Sequence, residues 1–210
     1  MTTIVYFILF IFLVFLICYL IWKKNNTLPE LTTIKTINGN EYIVQNRTDS
    51  IEAAETLDEI NKRILILREY LWKIKDSDES KPFIKYIDRL NKKYSYKSIS
   101  EGVFSVKTTS YSINKKEIVF CLRERKINED GETIEGNIED INILMMVTLH
   151  ELTHALADSY VSESEHVTNH EFMPLFKFLV KMSSRCGIYI DQDYKINPTS
   201  YCGMRINSNI

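Results

Sequence analysis

The stretch Thr148-Leu149-His150-Glu151-Leu152-Thr153-His154-Ala155-Leu156 decides how this chain is read. Apolar residues recur at helical spacing from Ile138 through Ile141, Leu144, Met145, Leu149, Leu152 and Leu156, so a helix is expected here. Glu139 and Asp140 stand near its start, where carboxylates complement the helix dipole. Side chains four apart lie one above the other, so His150 and His154 can reach the same metal ion. Glu151 is then placed to take a proton from metal-bound water. Met145, Met146, Val147 and Leu149 make an apolar setting in which two imidazoles and a carboxylate are costly unless matched. A zinc ion (Zn2+) supplies that match, since it accepts neutral imidazole nitrogen. The bland reading is a pair of hydrogen-bonded helix histidines beside a solvated glutamate; a bound but non-catalytic metal is another. All four histidines of the 210 residues fall between positions 150 and 170, which favours the metal.

A third ligand must come from beyond the pair. Phe172, Leu175, Phe176, Leu179 and Val180 mark the inward face of a following helix, and His170 falls about 160° from Phe172 on its wheel. Thr168 and Glu171 have the spacing of a capping box, which leaves His166 in the preceding loop, free to turn toward the metal. His166 is the expected third ligand, His170 the alternative, and Glu163 or Glu165 a further one. Asp158 lies one turn past His154, where it either orients the imidazole or is simply solvated. Arg123, Tyr189, Tyr194 and Tyr201 are possible donors to a tetrahedral oxyanion.

The amino-terminal end suggests where such a site would work. Residues 3–22 carry no charge until Lys23, and about 20 apolar residues on a helix cross a lipid core. A cleaved signal peptide fits less well, because no basic leader precedes the run and no small-x-small site follows. The expected organisation is a transmembrane anchor over 1–24, a spacer over 25–50 with a short hairpin near residues 37–44, and one domain over 51–210. Lys23 and Lys24 place that domain on the cytosolic or virion-internal side of the membrane. The Asn25 and Asn46 glycosylation sequons have use only in a secretory lumen.

Elsewhere, Leu57, Ile60, Ile64, Leu67, Leu71 and Ile74 form one helical stripe, and Phe83, Ile84, Ile87 and Leu90 another. Residues 103–106, 110–113 and 118–122 suit strands, and polar residues from 128 to 137 read as a loop. The strand over 118–122 is either a core strand or an edge to which an extended peptide could add. A net charge of −2 argues against direct nucleic-acid binding. No Cys-x-x-Cys pair supports a zinc ribbon; Cys186 and Cys202 either pair or stay as free thiols.

The segments Ser110–Arg123, Leu149–Ala155, Glu171–Val180, Gly187–Tyr189 and Pro198–Met204 together resemble metallopeptidases of large DNA viruses, which are similar to the WLM and SprT-like zinc peptidases. The resemblance covers roughly residues 100 to 210. It implies a zincin-like α+β fold with a small sheet, zinc held by His150 and His154, and Glu151 as catalytic base. That family carries its third histidine about four residues ahead of the Phe172 position, where this chain has Thr168, so His166 or His170 must stand in. The expectation is a membrane-anchored zinc-dependent metalloendopeptidase acting on a protein or peptide substrate. The alternative is a membrane-tethered structural or interaction protein with a non-catalytic zinc site.

Overall fold

The computed structural model describes residues 2–25, 30–103, 109–160, 166 and 169–207. Within the first helix, α1 (Thr2–Asn25), side chains are described only for Tyr6 and residues 10–20, and these are exposed. Among the described residues no helix is long and apolar enough to cross a membrane. The expected transmembrane anchor, its lipid partner and the single-pass topology are corrected accordingly.

The scaffold is mixed α+β with small sheets. Strands β1 (Leu31–Lys35) and β2 (Glu41–Gln45) form an antiparallel hairpin that packs on α2 (Ser50–Ile74). Asp58 of α2 fastens it, accepting hydrogen bonds from the Asn38 and Asn40 amides and from the Tyr42 hydroxyl. The helix itself forms because its apolar stripe recurs every three to four residues, and Leu57, Ile60, Ile64, Leu67 and Leu71 are all buried in the core. A 3-10 turn over Lys81–Phe83 then leads into α3 (Ile84–Lys93), which buries Tyr86, Ile87 and Leu90.

The central sheet has the order β3-β5-β4, from β3 (Ile99–Glu101), β5 (Glu117–Phe120) and β4 (Tyr111–Ile113). β3 runs parallel to β5, and β4 antiparallel to it. The apolar strand within 118–122 therefore lies in the middle of the sheet. Among the described residues it is β4 that forms the outer strand beside the helix bearing the histidines, so the edge role expected for 118–122 is corrected. Burial explains the placement: Ile118, Val119 and Phe120 are all buried, as a central strand requires.

The polar stretch over 128–137 read as a loop holds the turn and most of the second strand of another hairpin, β6 (Arg123–Ile127) with β7 (Thr133–Ile138). Its turn is closed by the Asn128 side chain, which accepts from the backbone of Asp130 and Glu132, and by Gly131 in the left-handed region. Helix α4 (Ile141–Leu156) packs against α2, α3, β4, β5 and α5 (Phe172–Arg185). Strands β8 (Thr199–Tyr201) and β9 (Met204–Ile206) close the chain as a tight hairpin through Cys202 and Gly203, both at positive φ. A Cys121–Cys202 disulfide ties that hairpin to the end of β5, while Cys186 is a free thiol, so neither a Cys186–Cys202 bridge nor a free Cys202 thiol is found.

One buried network holds these parts in register. Arg123, fully enclosed, donates to Glu101 at 2.8 Å and to Asp49, and the other Glu101 oxygen accepts from the Gln45 backbone. Burial pushes the Glu101 carboxyl above its ordinary range, with the Gln45 amide and the Arg123 guanidinium opposing. Arg123 is therefore a structural residue and not an oxyanion donor.

Candidate metal centre

α4 begins where Asp140 caps it, its carboxylate accepting from the backbone of Asn142 and Ile143. Its middle is buried on nearly every side, and the two threonines that this would leave unpaired, Thr148 and Thr153, donate to the carbonyls of Leu144 and Leu149 at 2.7 Å. The four-residue spacing stacks His150 over His154, with ring centroids 5.0 Å apart.

His166 completes the group. Its ring lies 4.8 Å from both other imidazoles and stacks at 4.2 Å on Phe172, the fully buried first residue of α5. Phe172 and Phe176 also meet His150, so the three imidazoles rest on an aromatic floor. One nitrogen from each of His150, His154 and His166 can be chosen so that all lie within 4.8 Å of one another. His170 is exposed and outside this group, and Glu163 and Glu165 lie outside the described residues. Asn169 caps the approach to α5 by accepting from the backbone of Glu171 and Phe172; Thr168 of the expected capping box lies outside the described residues.

The donor chemistry fits a cation. The Nε2 atoms of His154 and His166 face each other at 3.0 Å. Burial, reinforced by the other two imidazoles, lowers the His150 pKa to about 3. Burial together with His166 and Lys115 lowers that of His154 to about 4. His150 and His154 are thus held as neutral imidazole, the form that binds zinc.

Glu151 is buried and shares a cavity of about 250 Å³ with His150, His166, Ser110, Tyr201 and Arg205. Burial raises the Tyr201 phenol well above its ordinary range; the Ser110 hydroxyl opposes this, and the Glu151 and Glu139 carboxylates add to it. Tyr201 therefore stays protonated, donating to the Cys121 carbonyl at 2.9 Å and bonded to Ser110. Of the four oxyanion candidates it alone lines this cavity: Tyr189 and Tyr194 line a different one with Met146 and Phe176. Arg205 had no signal in the sequence beyond its charge.

The end of α4 is braced from outside the cavity. Asp158 does not orient His154; it pairs with Lys85 and Arg89. The brace is Glu171, whose carboxylate accepts from the Asp158 and Ser159 backbones, the Ser159 hydroxyl and the Tyr86 hydroxyl. It thus fastens the chain leaving His154 to the chain entering Phe172.

No protein-family model matches this chain, and no solved structure matches it. The resemblance to WLM and SprT-like peptidases therefore rests on the quoted residues alone. The chain is 36% identical over 80 residues to the uncharacterized protein 136R of Invertebrate iridescent virus 6, covering 38% of each. It is 37% identical over 202 residues to the uncharacterized protein R325 of Acanthamoeba polyphaga mimivirus, covering 94% of this chain and 93% of that protein. At that identity and coverage, the chain belongs to the same family as the mimivirus protein.

Proposed function

We propose that His150, His154 and His166 hold one zinc ion, and that with Glu151 they make the chain a zinc-dependent peptidase. The membrane tether attached to this activity in the sequence reading is dropped. The observation carrying the proposal is the convergence of three imidazoles, with the buried Glu151 opening into a cavity that two of them, His150 and His166, also line. Among the described residues three protein ligands come together, which would leave a position open, whereas structural zinc sites are closed by four.

When bound, zinc would acidify water and polarise a peptide carbonyl. Glu151, which lines the same cavity as His150 and His166, would accept the proton and pass it to the leaving nitrogen. Phe172 fixes the plane of the His166 ring, and the neutral Tyr201 phenol, its proton donated to the Cys121 carbonyl, forms part of the cavity wall.

A non-catalytic zinc site is the second reading. In it the ion only pins α4 to the approach of α5, and the observation favouring it is that Glu171 and Phe172 already brace this junction.

Zinc stoichiometry of the wild type, His150→Ala, His166→Ala and His170→Ala tests the site. One ion, lost in H150A and H166A and kept in H170A, is expected; full zinc in H166A would refute the ligand set. Cleavage of a diverse peptide library, with and without chelator and beside Glu151→Gln, separates the two readings. Chelator-sensitive cleavage lost in a zinc-loaded E151Q supports the peptidase. Stoichiometric zinc with no cleavage, and unfolding on chelation, supports the pin.

A further inference from the structure

A second cavity, of about 570 Å³, lies beyond the far end of β4, between α3, the β4–β5 turn and the carboxyl half of α4. Its charged lining is Arg89, Lys93, Lys97, Lys115 and Lys116 against the single acid Glu117. The chain as a whole has fewer bases than acids, 26 against 28, so this is a local concentration of positive charge. Two of the cations are already committed to the frame. Arg89 pairs with Asp158 and donates to the Leu156 carbonyl, and Lys115 donates to the carbonyls of Ala157, Asp158 and Ser159. Lys93, Lys97 and Lys116 are exposed and enter no salt bridge among the described residues.

β4 connects this cavity to the candidate metal centre. Thr109 and Ser110, just before the strand, line the cavity that holds His150 and Glu151, while Asn114, Lys115 and Lys116, just after it, line the basic one. At 3.3 Å per residue the separation along the strand is about 10 to 15 Å, or three to five residues of extended peptide.

We propose that the basic cavity docks an acidic peptide segment, so that peptides with Asp or Glu about three to five residues from the bond at Glu151 are preferred. The docking part stands alone; the substrate preference rests on the peptidase reading. An occupant of this kind matches three features together. The cations offer charge complementarity, the apolar floor of Leu90, Ile118, Leu152 and Leu156 suits peptide carbon, and the outer strand β4 offers backbone pairing. A volume in the range of small-ligand sites suits a few residues of chain better than a duplex, and the cations ring one cavity instead of tracking a backbone.

The test uses the full chain as E151Q and a fluorescent ten-residue peptide rich in Glu, its Gln counterpart, and a single-stranded oligonucleotide of similar length. Anisotropy titration should show the Glu peptide binding at least tenfold tighter than the Gln peptide, with affinity falling as salt is raised. The variants K93E/K97E/K116E and K93Q/K97Q/K116Q, checked for unchanged thermal melting, should each lose that advantage. Equal affinity for the two peptides, no loss in either variant, or tighter binding of the oligonucleotide would overturn the proposal. In the wild-type chain, peptide-library products should be enriched in acids at the stated spacing. If nothing is cleaved while the Glu peptide still docks, the peptidase reading fails and the docking site survives.

Discussion

Glu171→Gln should destabilise the fold by about 2 kcal/mol at neutral pH, and the loss should fade in acid. Burial works to raise the Glu171 carboxyl, but the Asp158 amide, the Tyr86 hydroxyl and the two Ser159 donors overcome it and hold the pKa at about 2 against an ordinary 4.5. That depression is equivalent to about 3 kcal/mol at most, and the 18% of the side chain still open to solvent reduces the expected effect to about 2 kcal/mol. Gln keeps one acceptor oxygen but brings an amide group toward donors, so two or more of these charge-assisted bonds are lost. A carboxyl depressed on folding stabilises above its unfolded pKa and loses the contribution as pH falls toward its folded pKa. Urea denaturation of wild type and E171Q should therefore show a gap that is full above about pH 5 and narrows steadily down to pH 3. Taking the difference between the two proteins cancels the titration of other carboxylates. A gap below about 0.5 kcal/mol at pH 7, or one that does not narrow in acid, would show that this clamp contributes little.

Three other outcomes are expected. Arg123→Ala strands Glu101 as a buried carboxylate and should cost about 3 to 5 kcal/mol by urea denaturation, with part recovered when Glu101→Gln is added; additive losses would refute the coupling. Phe172→Ala removes both a core aromatic and the surface on which His166 stacks, so a loss of about 3 to 5 kcal/mol should accompany weaker zinc retention in competition with a chelator; undiminished zinc affinity would dissociate the ring from the site. Reduction of Cys121–Cys202, which closes a long loop across a sequence separation of 81, should lower stability by about 2 to 4 kcal/mol; an unchanged denaturation midpoint after thiol quantitation would count against it.

What could be read from the sequence was what repeats locally. The stripes of α2 and α4 were visible because each turn adds one more apolar residue to the same face. The pairing of His150 with His154 followed from the same period, and His166 followed from the need to place a ligand before α5 begins. Pairings across long separations were hidden. Nothing local tells Cys121 to meet Cys202 in place of Cys186, or puts β5 between β3 and β4, since each depends on how distant segments pack. The β6–β7 hairpin was concealed for a different reason: its residues are largely polar and solvent-facing, so no alternation marks it as strand. The amino-terminal run misled in the opposite direction, because apolar composition was read as a span, whereas no helix among the described residues has the length and apolarity to cross a membrane. Glu171 is the most instructive omission. In sequence it reads only as half of a capping box, yet its acceptors join the exit from α4 to the entry into α5. Glu171 ties the residues just after His154 to the start of α5, where Phe172 carries the His166 ring. A pair of histidines can thus be anticipated from spacing, while the carboxylate that ties their helix to the next becomes visible only once the chain is folded.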